Sequence, residues 1–494
     1  MRLMQRSFTA LKWNYLGAFA RAGSQFLIGI VLARLLGPEP FGVVAVAWLV
    51  FGLGNLVADF GLASALIQRK EISTDEIRYV FTLQMLVGLL LTGIIASSAG
   101  WIAMFFRHPE AARVIQAMSL LFVFQSLGQT AIALLRRNLD FRRPQLAQFS
   151  SYLIGYICIG VPMAFAGYGA WSLVVANLVQ SLLNSAIVYA AVRHPLWPRF
   201  RLKEHSLFSF GAKVTASNLS SWGLINLDST LIGRVFGIAE LGLYNRAINL
   251  VTTPITAIVP SLQSVLFAAS ARAQEDRPAL RRTYLAALGV IGFVCMPPFF
   301  ALAVVPETVM TGIYGLSWKN AAPLLTPLAL AMPFNALLSI GGPMMMGLGQ
   351  AGRELSVQVA SLALFAMLLW WAASYSVEAV AWSSTAIYVL RFLLVTGVTL
   401  NLLEARWVEL GKVLRGPLLV ALFCVVTVYG LDFALKSLVL HPAVRLFFAV
   451  VTGAATFVVF FLLGQRWLVV QSISGLLKQV GPQLPPAMRW LFRA

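Results

Sequence analysis

Residues Leu32–Lys70 read LARLLGPEPFGVVAVAWLVFGLGNLVADFGLASALIQRK, and this stretch decides the fold class. An apolar helix that arrives at Leu36 is stopped by Gly37 and the two prolines after it, and a second apolar run ends in basic residues. The second run, Phe41–Ile67, holds one ionisable group, Asp59. A helix of that length can cross a hydrocarbon core about 30 Å thick. The stretch therefore predicts a hairpin of two membrane-spanning helices.

The composition of the whole chain agrees with this hairpin. Of the 494 residues, 59% are hydrophobic and 11% are charged, and the mean hydropathy is +0.81. Soluble domains carry about 25% charged residues, so we expect an integral membrane protein along the whole chain. The three cysteines and four histidines show no metal-ligand spacing, and neither a metal site nor a cofactor is expected.

Breaks at Gly, Pro and charged residues predict an all-α polytopic fold of fourteen transmembrane helices. Their bounds are about 11–36, 42–67, 79–103, 113–135, 146–166, 169–192, 207–235, 241–268, 283–305, 320–348, 355–374, 378–402, 413–434 and 443–464. Helices 1–6 form an N-lobe over residues 1–200, and helices 7–12 form a C-lobe over residues 201–404. Helices 13 and 14 follow in residues 405–466, and residues 467–494 read as an amphipathic cytoplasmic tail at the interface.

The basic residues indicate the orientation of these helices, because cytoplasmic loops of membrane proteins are rich in Lys and Arg. One set of alternate loops carries nineteen of them: Arg69, Lys70, Arg78, Arg136, Arg137, Arg142, Arg143, Arg193, Arg199, Arg201, Lys203, Arg272, Arg277, Arg281, Arg282, Arg353, Arg406, Lys412 and Arg415. The other set carries seven: Arg34, Arg107, Arg113, Arg234, Lys319, Lys436 and Arg445. Both termini are therefore expected in the cytoplasm, and the net charge of +19 is not taken as a sign of nucleic-acid binding.

An internal repeat appears at an offset of 200 residues. The run LARLLGPEPFG at Leu32–Gly42 aligns with IGRVFGIAELG at Ile232–Gly242 and matches an arginine and two glycines. Six helices separate the copies, so the copies run in the same direction and predict two parallel six-helix lobes. Chance similarity between apolar helices is the alternative.

Several motifs together resemble a known family. They are ARLLGPEPFGVVAVA (33–47), ADFGLASALIQR (58–69), LLRRNLDFRR (134–143), GYGAWSLV (167–174), FSFGAKVTASNLSSW (208–222) and LDSTLIGRVFGIAELGLYNRAINLVTTP (227–254). In this order they are similar to the Wzx-type polysaccharide-export flippases of the multidrug/oligosaccharidyl-lipid/polysaccharide (MOP) exporter superfamily, especially exporters of colanic acid or xanthan repeat units. The resemblance weakens over the last two helices.

The resemblance implies a fold, a cargo and a location. The fold is fourteen helices in two pseudo-symmetric lobes around a central cavity. The cargo is an undecaprenyl-pyrophosphate-linked oligosaccharide, which passes by alternating access from the cytoplasmic to the periplasmic leaflet of the bacterial inner membrane. Membrane lipids, a coupling proton or sodium ion, a polymerase and a chain-length regulator are the further partners it suggests.

A pyrophosphate cannot cross hydrocarbon without polar partners, so embedded cations are the first candidates for binding it. They are Arg21 and Arg391 near mid-membrane, Arg246 in the outer part of helix 8 and Lys213 near the inner end of helix 7. Arg suits phosphate because its planar fork donates two parallel hydrogen bonds. Each cation could instead form a structural ion pair with Asp59 or Asp228, or extend to the interface.

Two acids, Asp59 and Asp228, are candidates for binding a coupling ion. For Asp59 the favoured alternative is structural, since it lies in the ADFG turn near the cytoplasmic side, where it would hold helix 2 against a neighbour. Asp228 lies in a polar stretch that fits a helix only if it faces water or sugar, and this stretch is the best candidate for a cavity wall: Asn218, Ser220, Ser221, Trp222 and Asn226. Further side chains that could contact sugar are Asn245, Asn249, Tyr244, Gln263, Asn335 and Tyr388. Hydrogen bonds between helices would explain this second set equally well.

Other functions were weighed against the flippase. A membrane polymerase or glycosyltransferase needs carboxylates or histidines clustered on sizeable external loops, and the external loops here are short with isolated acids. We therefore expect no catalytic residues. A multidrug antiporter or a peptidoglycan-precursor flippase of the same superfamily is nearer in kind, and composition does not separate these from a polysaccharide flippase.

Overall fold

The computed structural model describes residues 2–58, 66, 72–200, 222–272, 274–438 and 440–464. Within these ranges all regular structure is helical. The α-helices are α1 Arg2–Leu36, α2 Pro38–Ala58, α3 Thr74–Phe105, α4 Ala111–Arg137, α5 Arg142–Leu153, α6 Val161–Phe165, α7 Ala170–Val192, α8 over 222–235, α9 Ile238–Arg272, α10 Arg277–Val304, α11 Pro306–Tyr314, α12 Ala322–Leu338, α13 Gly341–Gly347, α14 Ala351–Ala372, α15 Val377–Leu402, α16 Trp407–Lys436 and α17 Pro442–Gly464. A π-helix, Ile154–Gly160, joins α5 to α6, and a 3₁₀-helix, Leu316–Ala321, precedes α12.

The described residues contain eleven helices that are long and apolar enough to span a membrane. The expectation of an all-helical, multi-pass membrane fold is confirmed. Three of the fourteen predicted helices, near 11–36, 207–235 and 241–268, are helical where described but are not among these eleven. The count of fourteen therefore stays a prediction.

Local signals in the sequence place several of the helix starts. At the start of α3, Ser73 Oγ accepts a hydrogen bond from the Glu76 backbone N–H, and Glu76 Oε2 accepts one from the Ser73 backbone N–H. At the start of α15, Ser376 Oγ accepts from the Ala379 N–H at 3.1 Å. Such caps satisfy backbone donors that have no partner inside the helix.

The structure departs from the predicted helices in two places. The predicted helix 320–348 is divided between α12 and α13, with a turn at Ser339–Ile340. The connection before it, expected to be a loop, forms α11 and the 3₁₀-helix. Pro306 suits the first turn of a helix, and Gly315, at φ +98°, adopts a conformation that other residues rarely take, which ends α11.

The chain packs as two units, Met1–Asn245 and Arg246–Ala494. The division falls within α9, whereas the sequence placed the lobe boundary at residues 200/201; that boundary stays a prediction. The turns before α2 and α9 are built alike, with Gly37 at φ +72° and Gly237 at φ +97°. Positive φ is readily adopted by glycine, which explains why both copies of the repeat carry it at this turn.

Inside the first unit, the two copies of the repeat pack against each other at equivalent positions. A Cβ atom added to Gly42 would clash with the carbonyl oxygen of Ile238, and one added to Gly242 would clash with the carbonyl oxygen of Pro38. Pro38 and Ile238 are themselves 200 residues apart. The contact is therefore reciprocal, and both glycines are needed for the two backbones to approach so closely.

Candidate functional site

The first unit contains a polar cavity of about 610 Å³ among its helices. Its walls come from α1, α2, α4, α5, the π-helix and α7. Six glutamines line it: Gln25, Gln125, Gln129, Gln145, Gln148 and Gln180. Asn177 and Asn184 add two more carboxamides. Cavities of roughly 300–1,000 Å³ are typical of sites for small molecules.

Helical spacing explains why so many amides meet here. Residues three or four apart lie on the same face of a helix. Gln125 and Gln129 are one turn apart on α4, as are Gln145 and Gln148 on α5. On α7 the same spacing gives one polar face, made of Asn177, Gln180, Ser181, Asn184 and Ser185. Polar faces of three helices therefore surround one space.

Two tyrosines form part of the cavity wall. The rings of Tyr152 and Tyr156 stack with centroids 4.6 Å apart, and Asn177 Nδ2 donates a hydrogen bond to the Tyr156 hydroxyl at 2.8 Å. Tyr156 belongs to the π-helix, whose Gly155 lies so close to the Ala176 carbonyl that a Cβ would be 2.6 Å from it. Short π-helical segments within α-helices occur often at functional sites. Here the π-helix carries an aromatic ring into a polar cavity.

Charge is confined to the edges of this cavity. Among the lining residues that the structure describes, Arg136, in the last turn of α4, is the one charged side chain. Arg21, on α1, contacts the wall, because its Nη1 donates a hydrogen bond to Gln148 Oε1. Arg21 was a candidate from the sequence, and the structure puts its guanidinium in contact with a residue of the cavity.

The Asp228 carboxylate is buried within the first unit and accepts hydrogen bonds from a side chain and from the backbone. The Tyr244 hydroxyl donates one, and the Ser229 backbone N–H donates another at 2.6 Å. Asn226, one turn away on the same helix, donates through Nδ2 to the Trp222 carbonyl at 3.0 Å. Asn245 is half-buried at the end of this unit. The role of Asp228 in ion coupling stays a prediction.

In the second unit, Arg246 lies over the ring of Tyr314, with its guanidinium carbon 4.7 Å from the ring centroid. Tyr314 in turn packs against Trp318, with centroids 5.7 Å apart. A cation over an aromatic face is attracted by the ring's quadrupole. Asn249, one turn along α9, is exposed.

Arg391 lies on α15, and its electrostatic neighbours are Tyr388 and Glu354. Glu354 comes from the preceding helix, α14, where its carboxylate accepts a hydrogen bond from Gln358. In the described part of the chain, no protein atom accepts a hydrogen bond from the buried Nε of Arg391. Its helix supplies no acid at helical spacing, as the sequence showed. The sequence weighed Asp59 and Asp228 as structural partners and missed the nearby Glu354.

Three candidates from the sequence, Asp59, Lys213 and Asn218, lie outside the described residues. The described ranges also contain no group of three or more His, Cys, Asp or Glu residues that could hold a metal ion.

Sequence reasoning missed the glutamine-lined cavity itself. The available signal was the recurrence of amides at intervals of three or four residues within apolar spans, as at Gln125 and Gln129. The candidates predicted from the sequence are instead embedded charges and the polar residues near Asn226.

Solved structures of known proteins share the fold of this chain. The lipid II flippase MurJ in an inward closed conformation aligns with a TM-score of 0.69 and 14% identity, covering 94% of this chain and all of that one. An inward-facing multidrug-resistance MATE transporter of the MOP superfamily aligns with a TM-score of 0.62 and 15% identity, covering 79% of this chain and 99% of that one. Identities this low show the fold alone, which is that of a MOP transporter.

The sequence comparisons are more specific. The chain is 29% identical to the lipopolysaccharide biosynthesis protein WzxC of Escherichia coli (strain K12), covering 69% of this chain and 70% of that protein. It is 28% identical to the succinoglycan biosynthesis transport protein ExoT of Rhizobium meliloti (strain 1021), covering 73% and 70%. The model of the family described as "Polysaccharide biosynthesis protein" matches residues 31–323. The chain belongs to this family, and the resemblance to polysaccharide flippases of the MOP superfamily is confirmed.

Proposed function

We propose that this protein moves an undecaprenyl-pyrophosphate-linked oligosaccharide repeat unit from the cytoplasmic to the periplasmic leaflet of a bacterial inner membrane. Fourteen helices in two lobes would alternate between inward and outward openings. The protein would not be an enzyme, since the cargo leaves chemically unchanged. A polymerase and a chain-length regulator would act on the units that it delivers.

The observation that carries this proposal is the polar cavity among the helices of the first unit. Polar groups within a membrane are costly, so a space lined by eight carboxamides indicates a polar occupant. A carboxamide offers two donors and an acceptor, which suits the hydroxyls of sugars. Arg21, bonded to Gln148 at the wall, adds a donor fork of the kind that binds phosphate. Sugar and phosphate are the two polar parts of the proposed cargo.

In the second unit, Arg391 and Arg246 are the proposed contacts of the pyrophosphate. Asn249, also in this unit, is a proposed contact of the sugars. Asn226 and Asn245 in the first unit remain proposed sugar contacts, as does Asn218. Lys213 remains a proposed contact of the pyrophosphate, and Asp59 and Asp228 remain the proposed coupling acids. Coupling to a proton or a sodium ion is part of the proposal.

Deletion of the gene tests the function in the cell. We expect fully assembled lipid-linked repeat units to accumulate while polymer export stops, because assembly precedes transport. The measurement is mass spectrometry of extracted lipid-linked sugars, with the gene restored on a plasmid as the control. Shorter, incomplete sugars in the deletion strain would contradict the proposal and indicate an enzyme of assembly.

Two relatives by fold supply the alternative cargoes. A multidrug antiporter would lose drug resistance on deletion and leave polymer export intact. A peptidoglycan-precursor flippase would stop cell-wall synthesis rather than polymer export. The family match to polysaccharide biosynthesis favours the oligosaccharide.

A further inference from the structure

The cavity of the first unit is lined largely by uncharged polar side chains. It combines eight carboxamides with two tyrosines and two serines, and the lining residues that the structure describes include no carboxylate and no lysine. Burying a charge within a membrane is costly, and burying an amide is costly as well. Apolar side chains would fill the space at lower cost, so the amides call for a polar partner. The set is suited to one kind of partner, an uncharged group that both donates and accepts hydrogen bonds.

A sugar hydroxyl is such a group. It donates one hydrogen bond and accepts up to two, and a carboxamide matches it in either role. A sugar carboxylate only accepts, and its negative charge needs a cation or several aligned donors when it leaves water. Arg136, at the end of α4, is exposed, and Arg21 contacts the lining through Gln148. Away from these two arginines, the described lining around Gln129 and Gln180 offers a carboxylate no positive charge.

The tyrosines favour the same kind of occupant. Tyr156 already accepts a hydrogen bond from Asn177, and its ring stacks with that of Tyr152. Its position is therefore fixed before any cargo arrives, which lowers the entropic cost of binding. An aromatic face packs against the C–H face of a pyranose, which neutral and acidic sugars both present. The tyrosines therefore indicate a sugar ring, and the carboxamides indicate that this ring is uncharged.

Resting on the flippase function proposed above, we propose that this cavity is a subsite for uncharged sugar residues of the cargo and that it discriminates against uronic acids. The bond between Arg21 and Gln148 sets the order of the cargo along the site. The pyrophosphate lies at the Arg21 end, so the sugars that occupy the amides are those adjoining the lipid. Acidic sugars, where a repeat unit has them, are placed further from the pyrophosphate.

Two disaccharides that differ by one carboxylate provide the test. Purified full-length protein in detergent is titrated with cellobiose and with cellobiouronic acid, and binding is followed by saturation-transfer NMR. We expect cellobiose to bind about tenfold to a hundredfold more tightly, the range for one hydrogen bond to a charged group left unmade. Equal binding of the two, or tighter binding of the acid, would overturn the proposal.

Substitutions in the lining test whether cellobiose binds in this cavity. The double variant Gln129→Leu, Gln180→Leu should lose most of the cellobiose signal. Gln116→Leu is the matched control, because Gln116 is exposed on the same helix, α4, and lies outside the lining. Unchanged cellobiose binding in the double variant would overturn the assignment to this cavity.

A third variant keeps the test decisive if the double variant does not fold. Gln129→Arg places a cation inside the cavity and should reverse the preference toward cellobiouronic acid. A preference that stays as in the wild type would contradict the proposal. These binding results are independent of the deletion strain: normal polymer export in that strain would refute the flippase function, whereas failure of the disaccharide titrations would refute only the sugar subsite.

Discussion

At the scale of single residues, the contacts of an embedded arginine indicate whether it binds cargo or holds helices together. Arg391 has a buried Nε for which no protein acceptor exists in the described ranges, and Glu354 is its nearby acid. An arginine that holds two helices together would be expected to direct its donors to protein acceptors. The Nε of Arg391, without a protein acceptor in the described ranges, supports the proposal that this arginine serves a phosphate and not a contact between helices.

Replacing Arg391 distinguishes the two roles. We predict that Arg391→Ala abolishes polymer export while the protein stays inserted and abundant, because cargo binding weakens by about tenfold to a hundredfold. Arg391→Lys should retain part of the export, since the charge survives but the two-pronged geometry does not. Export and membrane abundance are measured together, with Arg353→Ala, an exposed arginine on α14, as the control.

A substitution of Glu354 provides the result that would contradict a cargo role for Arg391. If Arg391 were structural, its removal would leave Glu354 unbalanced and lower the amount of folded protein. The double variant Arg391→Ala, Glu354→Gln would then restore both abundance and export. That rescue would end the assignment of Arg391 to cargo.

The embedded arginines could be predicted from the sequence, but the residues that lie near them in the fold could not. Arg21 and Arg391 stand out because a charged residue in an apolar span is rare, and spacing within one helix showed that neither has an acid one turn away. Glu354 could not be assigned, because its approach to Arg391 depends on how α14 packs against α15. Gln129 and Gln180 were missed for the same reason, since each is an ordinary polar residue until neighbouring helices bring the amides together.

At the scale of helices, glycine sets how closely two backbones approach. The sequence predicted the turn at Gly37 from this glycine and the two prolines after it, and the turn at Gly237 from its alignment with Gly37 in the repeat; the structure has both. It also aligned Gly42 with Gly242, but the repeat gave no reason to expect the two copies to touch. The division of the helix near Ser339 and the π-helix were not predicted, because hydropathy follows apolar length and not the hydrogen-bond pattern.

The reciprocal contact makes a prediction about stability. Gly42→Ala would place a methyl group against the Ile238 carbonyl, and overpacking of this kind costs about 1–3 kcal/mol or more. Gly93→Ala is the control, because no atom lies within 4 Å of a Cβ added to Gly93 of α3. We expect a lower midpoint of thermal unfolding in detergent for Gly42→Ala and little change for Gly93→Ala. Equal midpoints would show that the backbones are not in close contact.

A buried ion pair ties α17 to its neighbours within the second unit. Arg445 Nη2 lies 2.9 Å from Asp432 Oδ1, and Thr308 Oγ1 donates to the same oxygen at 2.7 Å. The side chains of Arg445 and Asp432 are 13% and 6% exposed, so both charges are largely removed from water. Removing one partner of such a pair leaves an uncompensated charge.

We predict that Asp432→Ala lowers the stability of the protein by about 3–5 kcal/mol. The double variant Asp432→Leu, Arg445→Leu should recover most of this loss, because no charge is left buried. Thermal unfolding of the purified protein measures both variants, and Lys319→Ala, which breaks an exposed pair with Glu307, serves as the control. A double variant as unstable as Asp432→Ala would contradict this explanation. The loss of stability would then come from losing the ion pair itself, and not from a buried charge left without its partner.

The orientation of the whole molecule in the membrane follows from its basic loops. We predict that both termini and the turn near Asp140 are cytoplasmic, and that the turn near Gly167 is periplasmic. Alkaline phosphatase fused after Gly167 should be active, and the same enzyme fused after Asp140 or Ala494 should be inactive. The reverse pattern would contradict the orientation and, with it, the proposed direction of transport.

Movement of the cargo across a bilayer tests the central claim most directly. Purified protein is reconstituted into liposomes that carry an undecaprenyl-pyrophosphate-linked oligosaccharide in both leaflets, and a membrane-impermeant glycosidase is added outside. Liposomes without protein should stop near half digestion. With the protein, digestion should approach completion, and Arg391→Ala should return it to half. Digestion that stops at half with the wild-type protein would contradict the account.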